Sequence, residues 1–162
     1  MQINSLFSII PPLRGVRVFQ FSNSLKFSKE LAKEAVKREF DLEIACTKEE
    51  ALKELEKLKN DFVTIRYVPL NKKRYNLHSH LFDTLFINIP YEEIKEIEEE
   101  FLRKIYRMMK NAGVIVYPIE SSYKEEKREL LERLNYVAIN DIDFDLNTSI
   151  LTARKMHGWA KI

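Results

Sequence analysis

The sequence is poor in cysteine, in glycine and in long apolar runs, and these shortages narrow the class of protein. Its single cysteine, Cys46, excludes an intrachain disulfide and fits a reducing compartment. No apolar stretch reaches the length of a membrane span, and the first residues lack a basic leader with a cleavage site. We therefore expect a cytoplasmic protein with no membrane partner. The 27 basic and 25 acidic residues leave a net charge of only +2, so any nucleic-acid partner must be met by a local patch.

The composition is typical of one globular domain, with 162 residues of which 45% are hydrophobic and 32% charged. We assign residues 1–162 to that domain, with residues 1–15 as an N-terminal lead-in. Hydrophobic periodicity alternates between strand-like and helix-like segments. The predicted strands are 16–21, 41–46, 62–70, 81–89 and 114–119, followed by a hairpin of YVAINDIDF and SILTARKM around DLNT. This alternation indicates a mostly parallel sheet covered on both faces.

The helices between these strands are predicted from their apolar spacing and their ends. The first is expected to bury one apolar stripe, formed by Phe27, Leu31, Ala35 and Val36. Two capping boxes are predicted, at Thr47–Glu50 and Ser122–Glu125. A long helix from Glu92 is predicted to end at Asn111–Gly113.

Five strand–helix steps followed by a β-hairpin are the element order of the class I S-adenosylmethionine-dependent methyltransferases, which the chain resembles from Val16 onward. FDTLFI looks like that family's fourth strand, and FLRKIYRMMKNAGVIV looks like its helix, glycine and fifth strand. The resemblance implies a three-layer α/β, Rossmann-like fold. Its sheet would be mostly parallel and seven-stranded, in the order 3-2-1-4-5-7-6, with a C-terminal antiparallel hairpin. It also implies S-adenosylmethionine as the cofactor.

The cofactor contacts that the resemblance implies are altered in this sequence. The loop after the first strand should be glycine-rich, but Ser22, Asn23 and Ser24 occupy it. Gln20 stands where that strand usually has an acid. Glu43 is the candidate for the carboxylate that holds the ribose, although it lies early in the second strand. The chain reads VPL after the third strand, where an acid is expected. We therefore predict an atypical or degenerate S-adenosylmethionine site, and we expect no metal.

The stretch Asn88-Ile89-Pro90-Tyr91 is similar to the Asn-(Leu/Ile)-Pro-Tyr motif of ribosomal-RNA adenine dimethyltransferases. By that resemblance Asn88 would accept the hydrogens of a target amine, Pro90 would shape the backbone and Tyr91 would stack on a flipped base. A simpler interpretation is that asparagine, proline and the following acids form a helix start. The sequence leaves both interpretations open.

A basic segment, Lys72-Lys73-Arg74, lies between the third and fourth predicted strands. We expect it at the ligand-facing end of the sheet, where it would meet nucleic acid or an acidic protein partner; a solvated loop is the alternative. His78 and His80 could combine with a carboxylate such as Asp83 in a metal site, but no third ligand is specified.

Three functions are therefore carried forward. The altered cofactor contacts favour a methyltransferase-superfamily domain with a non-catalytic or binding role. The second hypothesis is an active amino-methyltransferase that acts on nucleic acid or protein. The third is an α/β enzyme that binds another small ligand, nucleotide-like or polyamine-like, at the same strand ends. The first predicts a filled space above strands one and four, whereas the second predicts an open cleft between Ser22, Glu43 and Asn88.

Overall fold

A seven-stranded sheet forms the centre of the molecule, for which a computed structural model describes residues 3–76 and 78–156. The strands are β1 (Arg17–Ser22), β2 (Asp41–Cys46), β3 (Val63–Tyr67), β4 (Phe82–Asn88), β5 (Met109–Glu120), β6 (Tyr136–Asp143) and β7 (Thr148–Lys155). Their order is β3-β2-β1-β4-β5-β7-β6. The first five run parallel, and β7 is antiparallel to both of its neighbours. The predicted α/β fold, strand order and terminal hairpin are confirmed.

Helices cover both faces of this sheet. They are α1 (Leu25–Arg38), α2 (Glu49–Leu55), α3 (Tyr91–Ile94), α4 (Glu98–Met108) and α5 (Lys124–Arg133). The first two pack on one face together with a 3₁₀ helix at Ile3–Ile9, so the N-terminal lead-in contributes Leu6, Phe7 and Ile10 to the core. α4 and α5 pack on the other face. Among the described residues, no helix combines the length and the apolar character needed to cross a membrane.

The buried stripe of α1 differs from the prediction. Leu31 and Ala35 are buried as expected, but Phe27 and Val36 are 39% and 46% exposed. Ser28 and Ala32 complete the buried stripe instead. The cause is a polar contact, because the Ser28 hydroxyl donates to Gln20 Oε1 at 2.9 Å and so faces the sheet.

Both predicted capping boxes are wrong. α2 follows Lys48, which makes no side-chain cap, and the Thr47 hydroxyl donates instead to Glu93 Oε1 at 2.7 Å. α5 begins at Lys124 after a 3₁₀ turn at Ser121–Tyr123, and no side chain caps it. For Thr47, a charged acceptor from a distant part of the chain replaces the local backbone partner.

The long helix predicted from Glu92 is broken and ends early. A 3₁₀ turn at Lys95–Ile97 separates α3 from α4, and α4 ends at Met108 rather than at Asn111–Gly113. Gly113 serves close packing, since a Cβ there would lie 2.9 Å from the Lys110 carbonyl oxygen and 3.0 Å from that of Phe82. The glycine thus lets the start of β5 approach β4.

The connection from β3 to β4 contains no helix among its described residues, so the prediction of five strand–helix steps is wrong at this step. This segment packs as coil on the α4 face. Its anchor is Tyr75, which is 1% exposed and whose ring centroid lies 5.4 Å from that of Phe21 and 5.8 Å from that of Phe101. The Tyr75 hydroxyl donates to the Leu70 carbonyl at 2.9 Å. One aromatic ring therefore supplies apolar cover that a helix would otherwise provide.

Candidate functional site

The carboxyl ends of β1 and β4 are joined by a buried glutamine. Gln20 is 1% exposed, and its Nε2 donates to Asn88 Oδ1 at 2.8 Å and to the Phe27 carbonyl at 3.1 Å. Its Oε1 accepts from Ser28, as described above. A carboxylate at this position would have no hydrogen to donate to Asn88. The residue in place of the expected acid therefore ties two strands to the start of α1.

The loop after β1 is a helix cap. Ser24 is the N-cap residue of α1, with φ −140° and ψ 135°, and its side chain accepts from the Lys26 amide at 3.1 Å. The Ser22 hydroxyl accepts from the Ser24 amide at 3.2 Å and donates to the Ser24 carbonyl at 3.1 Å. No residue from Ser22 to Ser24 has a positive φ. This loop therefore needs no glycine to hold its backbone.

Asn23 crosses the space between the loops that follow β1 and β2. Its Oδ1 accepts from the backbone amides of Thr47, at 2.8 Å, and Lys48, at 3.2 Å. Its Nδ2 donates to the Thr47 hydroxyl oxygen at 2.8 Å and to Glu93 Oε2 at 3.4 Å. With the bond from Thr47 to Glu93, these contacts form a bridge of Asn23, Thr47 and Glu93 that fastens both loops to α3.

Glu43 lies away from this bridge. It stands three positions before the end of β2, and its Oε1 and Oε2 accept from Arg66 Nε and Nη2, each at 3.1 Å. The Asn76 amide donates to Oε2 at 3.0 Å, and Arg66 also donates to the Tyr75 carbonyl at 2.7 Å. Glu43 thus anchors the β3–β4 segment, and the structure does not bring it together with Ser22 and Asn88.

Asn88, Pro90 and Tyr91 lie where β4 gives way to α3. The helix does start here, with Pro90 immediately before its first residue, but no side chain caps it. Asn88 is therefore not its cap, because its Oδ1 accepts from Gln20. The Tyr91 hydroxyl is engaged as well: it accepts from Lys127 Nζ at 2.7 Å and donates to Glu98 Oε1 at 3.2 Å.

A buried charged cluster of Tyr91, Glu98, Tyr117 and Lys127 lies behind that tyrosine. Lys127 Nζ donates to Glu98 Oε1 at 2.7 Å, and the Tyr117 hydroxyl donates to Glu98 Oε2. Glu98, Tyr117 and Lys127 are 9%, 1% and 4% exposed. Burial opposes the charge of Lys127, but its hydrogen bonds to Glu98 and Tyr91 outweigh that effect and raise its pKa. Burial, and then the contact with Glu98, raises the pKa of Tyr117. The cluster holds α3, α4, α5 and β5 together.

An apolar pocket of about 370 Å³ lies beside Asn88. Leu6, Phe27 and Ile150 are among its lining residues, with the polar groups of Asn88 and Asp145 at the same surface. Hydrogen bonds from the backbone amides of Asn147 and Thr148 keep the pKa of Asp145 below its usual range. This pocket has the size and lining of a small-molecule site.

The basic segment begins near the carboxyl edge of the sheet, as predicted, but the chain leads from it to the opposite edge. Beyond Lys72–Arg74, the amides of His80 and Leu81 donate to the carbonyls of Arg107 and Met108 at the end of α4. Lys73 and Arg74 line a pocket of about 310 Å³ with residues of that helix. Lys72 is not among its lining residues; its carbonyl accepts from Lys104 Nζ at 2.7 Å. The pocket that Lys73 and Arg74 line therefore lies beside the end of α4, which leads into the start of β5.

The remaining candidates do not form a reactive site. His80 Nδ1 lies 2.9 Å from Lys155 Nζ, whereas Asp83 accepts from the Arg17 amide at 2.8 Å. Among the described residues, no group of histidine, cysteine and acidic side chains is arranged to hold a metal ion. Cys46 is buried, and burial raises the pKa of its thiol.

Comparison with solved structures identifies the architecture. A methyltransferase from Aquifex aeolicus, described as S-adenosylmethionine-dependent, superposes with a TM-score of 0.77 at 14% identity, covering 94% of this chain and 89% of that one. The [4+2]-cyclase SpnF gives a TM-score of 0.74 at 13% identity, covering 96% and 80%. The chain has the Rossmann-like methyltransferase fold. No protein-family model matches the sequence, and no curated protein matches it.

The chain spans about half the length of some proteins with this methyltransferase fold. It covers 52% of the CurJ carbon methyltransferase, at a TM-score of 0.71 and 8% identity. It also covers 52% of a Haemonchus contortus phosphoethanolamine N-methyltransferase, at a TM-score of 0.71 and 14% identity.

Two sets of residues in this methyltransferase fold escaped the sequence analysis. The buried cluster includes Glu98 and Lys127. In the sequence, each is one of many charged residues of a predicted helix. The bridge includes Thr47 and Glu93, which were interpreted as helix-start residues. A weak signal for Lys127 was available, because it occupies the inward-facing side of α5 in step with Leu131.

Proposed function

We propose that this chain is a methyltransferase-fold domain that acts by binding, and that it does not use S-adenosylmethionine in the ordinary way. The observation that carries the proposal is the bridge of Asn23, Thr47 and Glu93. In open α/β sheets, ligands enter the crevice beyond the carboxyl ends of the strands, near the switch in strand order. Here the loops after β1 and β2 are hydrogen-bonded to each other at that place.

Two residues to which the resemblance gives ligand contacts, Glu43 and Tyr91, support the same proposal. Glu43 would be the ribose-binding acid, but its carboxylate is engaged by Arg66 and Asn76. Tyr91 would be the stacking platform, but Lys127 Nζ lies 4.6 Å from the centroid of its ring, and its hydroxyl is held by Lys127 and Glu98. A neighbour with the same fold is named a cyclase, and one fold regularly supports several functions.

The test is a calorimetric titration of the full chain with S-adenosylmethionine and with S-adenosylhomocysteine. We expect no saturable heat with either compound up to millimolar concentration. The same titration of an Asn23→Ala variant, which lacks the bridge, provides the comparison with the unchanged chain. Saturable binding to the unchanged chain, weakened by Asn23→Ala or Glu43→Ala, would overturn the proposal.

Amino-group methyl transfer is the second candidate, and one observation favours it. Asn88 borders the apolar pocket, and its Oδ1 accepts one hydrogen bond from Gln20, which leaves the second lone pair of that oxygen. The resemblance of Asn88-Ile89-Pro90-Tyr91 to the ribosomal-RNA dimethyltransferase motif then gives Asn88 the role of amine acceptor. Transfer of a labelled methyl group from S-adenosylmethionine to RNA or protein, abolished by Asn88→Ala, would establish this candidate.

A nucleic-acid or protein partner for Lys72–Arg74 stays a prediction, as does a cytoplasmic location. Because the net charge of the chain is only +2, an anionic partner would have to bind to a local basic surface.

A further inference from the structure

The pocket between the β3–β4 segment and α4 is lined by six basic side chains. They are Lys73, Arg74, His78, His80, Lys104 and Arg107. Four of them, the two lysines and the two arginines, carry a full positive charge at neutral pH. The other lining residues are Tyr75, Asn76, Ser79 and Met108, so no carboxylate is among the lining residues that the structure describes. In a chain of almost balanced charge, this convergence gives one small concave surface a strong positive potential.

The cations of this basic pocket are only partly neutralised by the protein. Lys104 pairs with Glu100 at 3.3 Å, and it also lies 5.0 Å from the centroid of the Tyr75 ring. Within residues 3–76 and 78–156, Lys73, Arg74 and Arg107 have no carboxylate within 4.0 Å. Arg74 in the coil and Arg107 on α4 both line the pocket, and each guanidinium group has a planar set of donors. That geometry suits the oxygens of a phosphate or carboxylate.

His80 adds a donor of defined direction. The Lys155 ammonium lies 2.9 Å from His80 Nδ1 and donates to the Met109 carbonyl at 3.1 Å. An ammonium group can only donate, so Nδ1 accepts and the proton of the neutral imidazole resides on Nε2. Lys155 is 2% exposed, whereas His80 is exposed and lines the pocket. The remaining donor of this lining imidazole is then Nε2–H.

We propose that this basic pocket binds the phosphate group of a small phosphorylated molecule. Oxyanions satisfy unpaired guanidinium and ammonium groups, and a phosphate has enough acceptor oxygens to engage Arg74, Arg107 and His80 together. The volume of about 310 Å³ exceeds that of a bare ion and is at the lower limit of small-ligand sites, so it accommodates a sugar-phosphate as a whole. The inference goes beyond the function proposed above, since the pocket lies on the α4 side of the sheet and does not include the bridge.

A small ligand fits these observations better than a nucleic-acid strand does. A strand needs a basic track with exposed aromatic rings on which successive bases stack. Here the basic groups line one concave surface, and the one tyrosine in that lining, Tyr75, is 1% exposed and packed against Phe21. It therefore presents no face for stacking.

The experiment titrates the full chain with ribose 5-phosphate, with ribose, with inorganic phosphate and with a short single-stranded oligonucleotide. We expect saturable binding of ribose 5-phosphate, weaker binding of inorganic phosphate and none of ribose. Arg74→Gln and Arg107→Gln should each weaken ribose 5-phosphate binding about tenfold, since each removes a charge-assisted contact. Arg103→Gln is the matched control, because Arg103 lies on the same helix but pairs with Glu99 and is outside the basic pocket.

Three results would overturn the proposal. The first is the absence of saturable binding by both ribose 5-phosphate and inorganic phosphate. The second is binding that Arg74→Gln and Arg107→Gln leave unchanged. The third is an oligonucleotide that binds when the small phosphates do not, which would assign the surface to nucleic acid. Backbone amide shifts in NMR spectra separate this site from the carboxyl edge. Ribose 5-phosphate should move signals of residues 73–80 and 104–108, and leave those of Asn23, Thr47 and Asn88 in place.

Discussion

The bridge and the basic pocket treat their polar groups in opposite ways. At the carboxyl edge, Asn23 makes four side-chain hydrogen bonds, all to groups of the same chain. In the basic pocket, Arg74 and Arg107 have no carboxylate partner among the described residues. Native proteins satisfy their polar groups either internally or with water and ligands. The carboxyl edge is therefore closed by its own contacts, whereas Arg74 and Arg107 of the basic pocket have no carboxylate counterion among the described residues.

Charge explains why only one of these regions closes itself. Thr47, Asn23 and Glu93 provide both donors and acceptors, so they complete one another once the chain has folded. The basic side chains are donors when charged, and like charges cannot neutralise each other. The first region lies where ligands bind in open α/β sheets, whereas the second is marked by charges without counterions.

The largest expected effect comes from breaking the buried cluster that underlies the closed edge. Lys127→Met leaves the buried Glu98 carboxylate without its cation and should lower the free energy of unfolding by roughly 3–5 kcal/mol, measured by urea denaturation. The double variant Lys127→Met/Glu98→Gln is the control and should recover part of that loss. A single-variant loss below about 1 kcal/mol would mean that the pair behaves as an exposed one.

Removing the bridge should have the next largest effect. Asn23→Ala leaves the Thr47 amide and the Glu93 carboxylate with fewer partners, and we expect a loss of about 1–3 kcal/mol in unfolding free energy. Asn71→Ala, at an exposed position of the β3–β4 segment, is the matched control and should change stability by less than about 0.5 kcal/mol. Equal losses of unfolding free energy in the two variants would show that the bridge does not stabilise the closed edge.

Alkaline pH should destabilise the folded chain through four tyrosines on the α4 face of the sheet. Burial raises the pKa of Tyr75, Tyr106, Tyr117 and Tyr136 in the folded chain. Because the folded state holds these protons more tightly, their contribution is fully present below the unfolded pKa of about 10 and is lost as pH rises above it. For each such tyrosine, the free energy of unfolding should fall by at most about 1.4 kcal/mol per pH unit above that value. Phenolate absorbance and urea denaturation at several pH values measure this; constant stability well above pH 10 would contradict it.

The smallest effect on stability is expected at the basic pocket. Arg107 is exposed and has no carboxylate partner among residues 3–76 and 78–156, so Arg107→Gln should change the unfolding free energy by less than about 0.5 kcal/mol without a ligand. With ribose 5-phosphate, the melting temperature of the unchanged chain should rise more than that of Arg107→Gln, because a ligand that binds only the folded state stabilises it. A large loss of stability without ligand would show that Arg107 is structural, and the contrast between the two regions would disappear.

Much of the fold was predictable because its signals are local. Each strand has its own run of apolar residues, and the element order, through the resemblance to methyltransferases, led to the strand order that the structure confirms. The helix boundaries were less predictable. Thr47 has the spacing of a cap but bonds to Glu93, 46 residues away, and α4 ends before the glycine that was expected to end it.

The sequence alone determined the alternation of elements, the lack of glycine after β1 and the near balance of charge. Only the tertiary structure decided that Asn23 meets Glu93, 70 residues later, that Glu43 faces Arg66, and that Arg74 and Arg107 share a pocket. The physical reason is distance along the chain. Periodicity reports which face of an element is apolar, but hydrogen bonds and charge pairs depend on which distant elements the sheet order brings together.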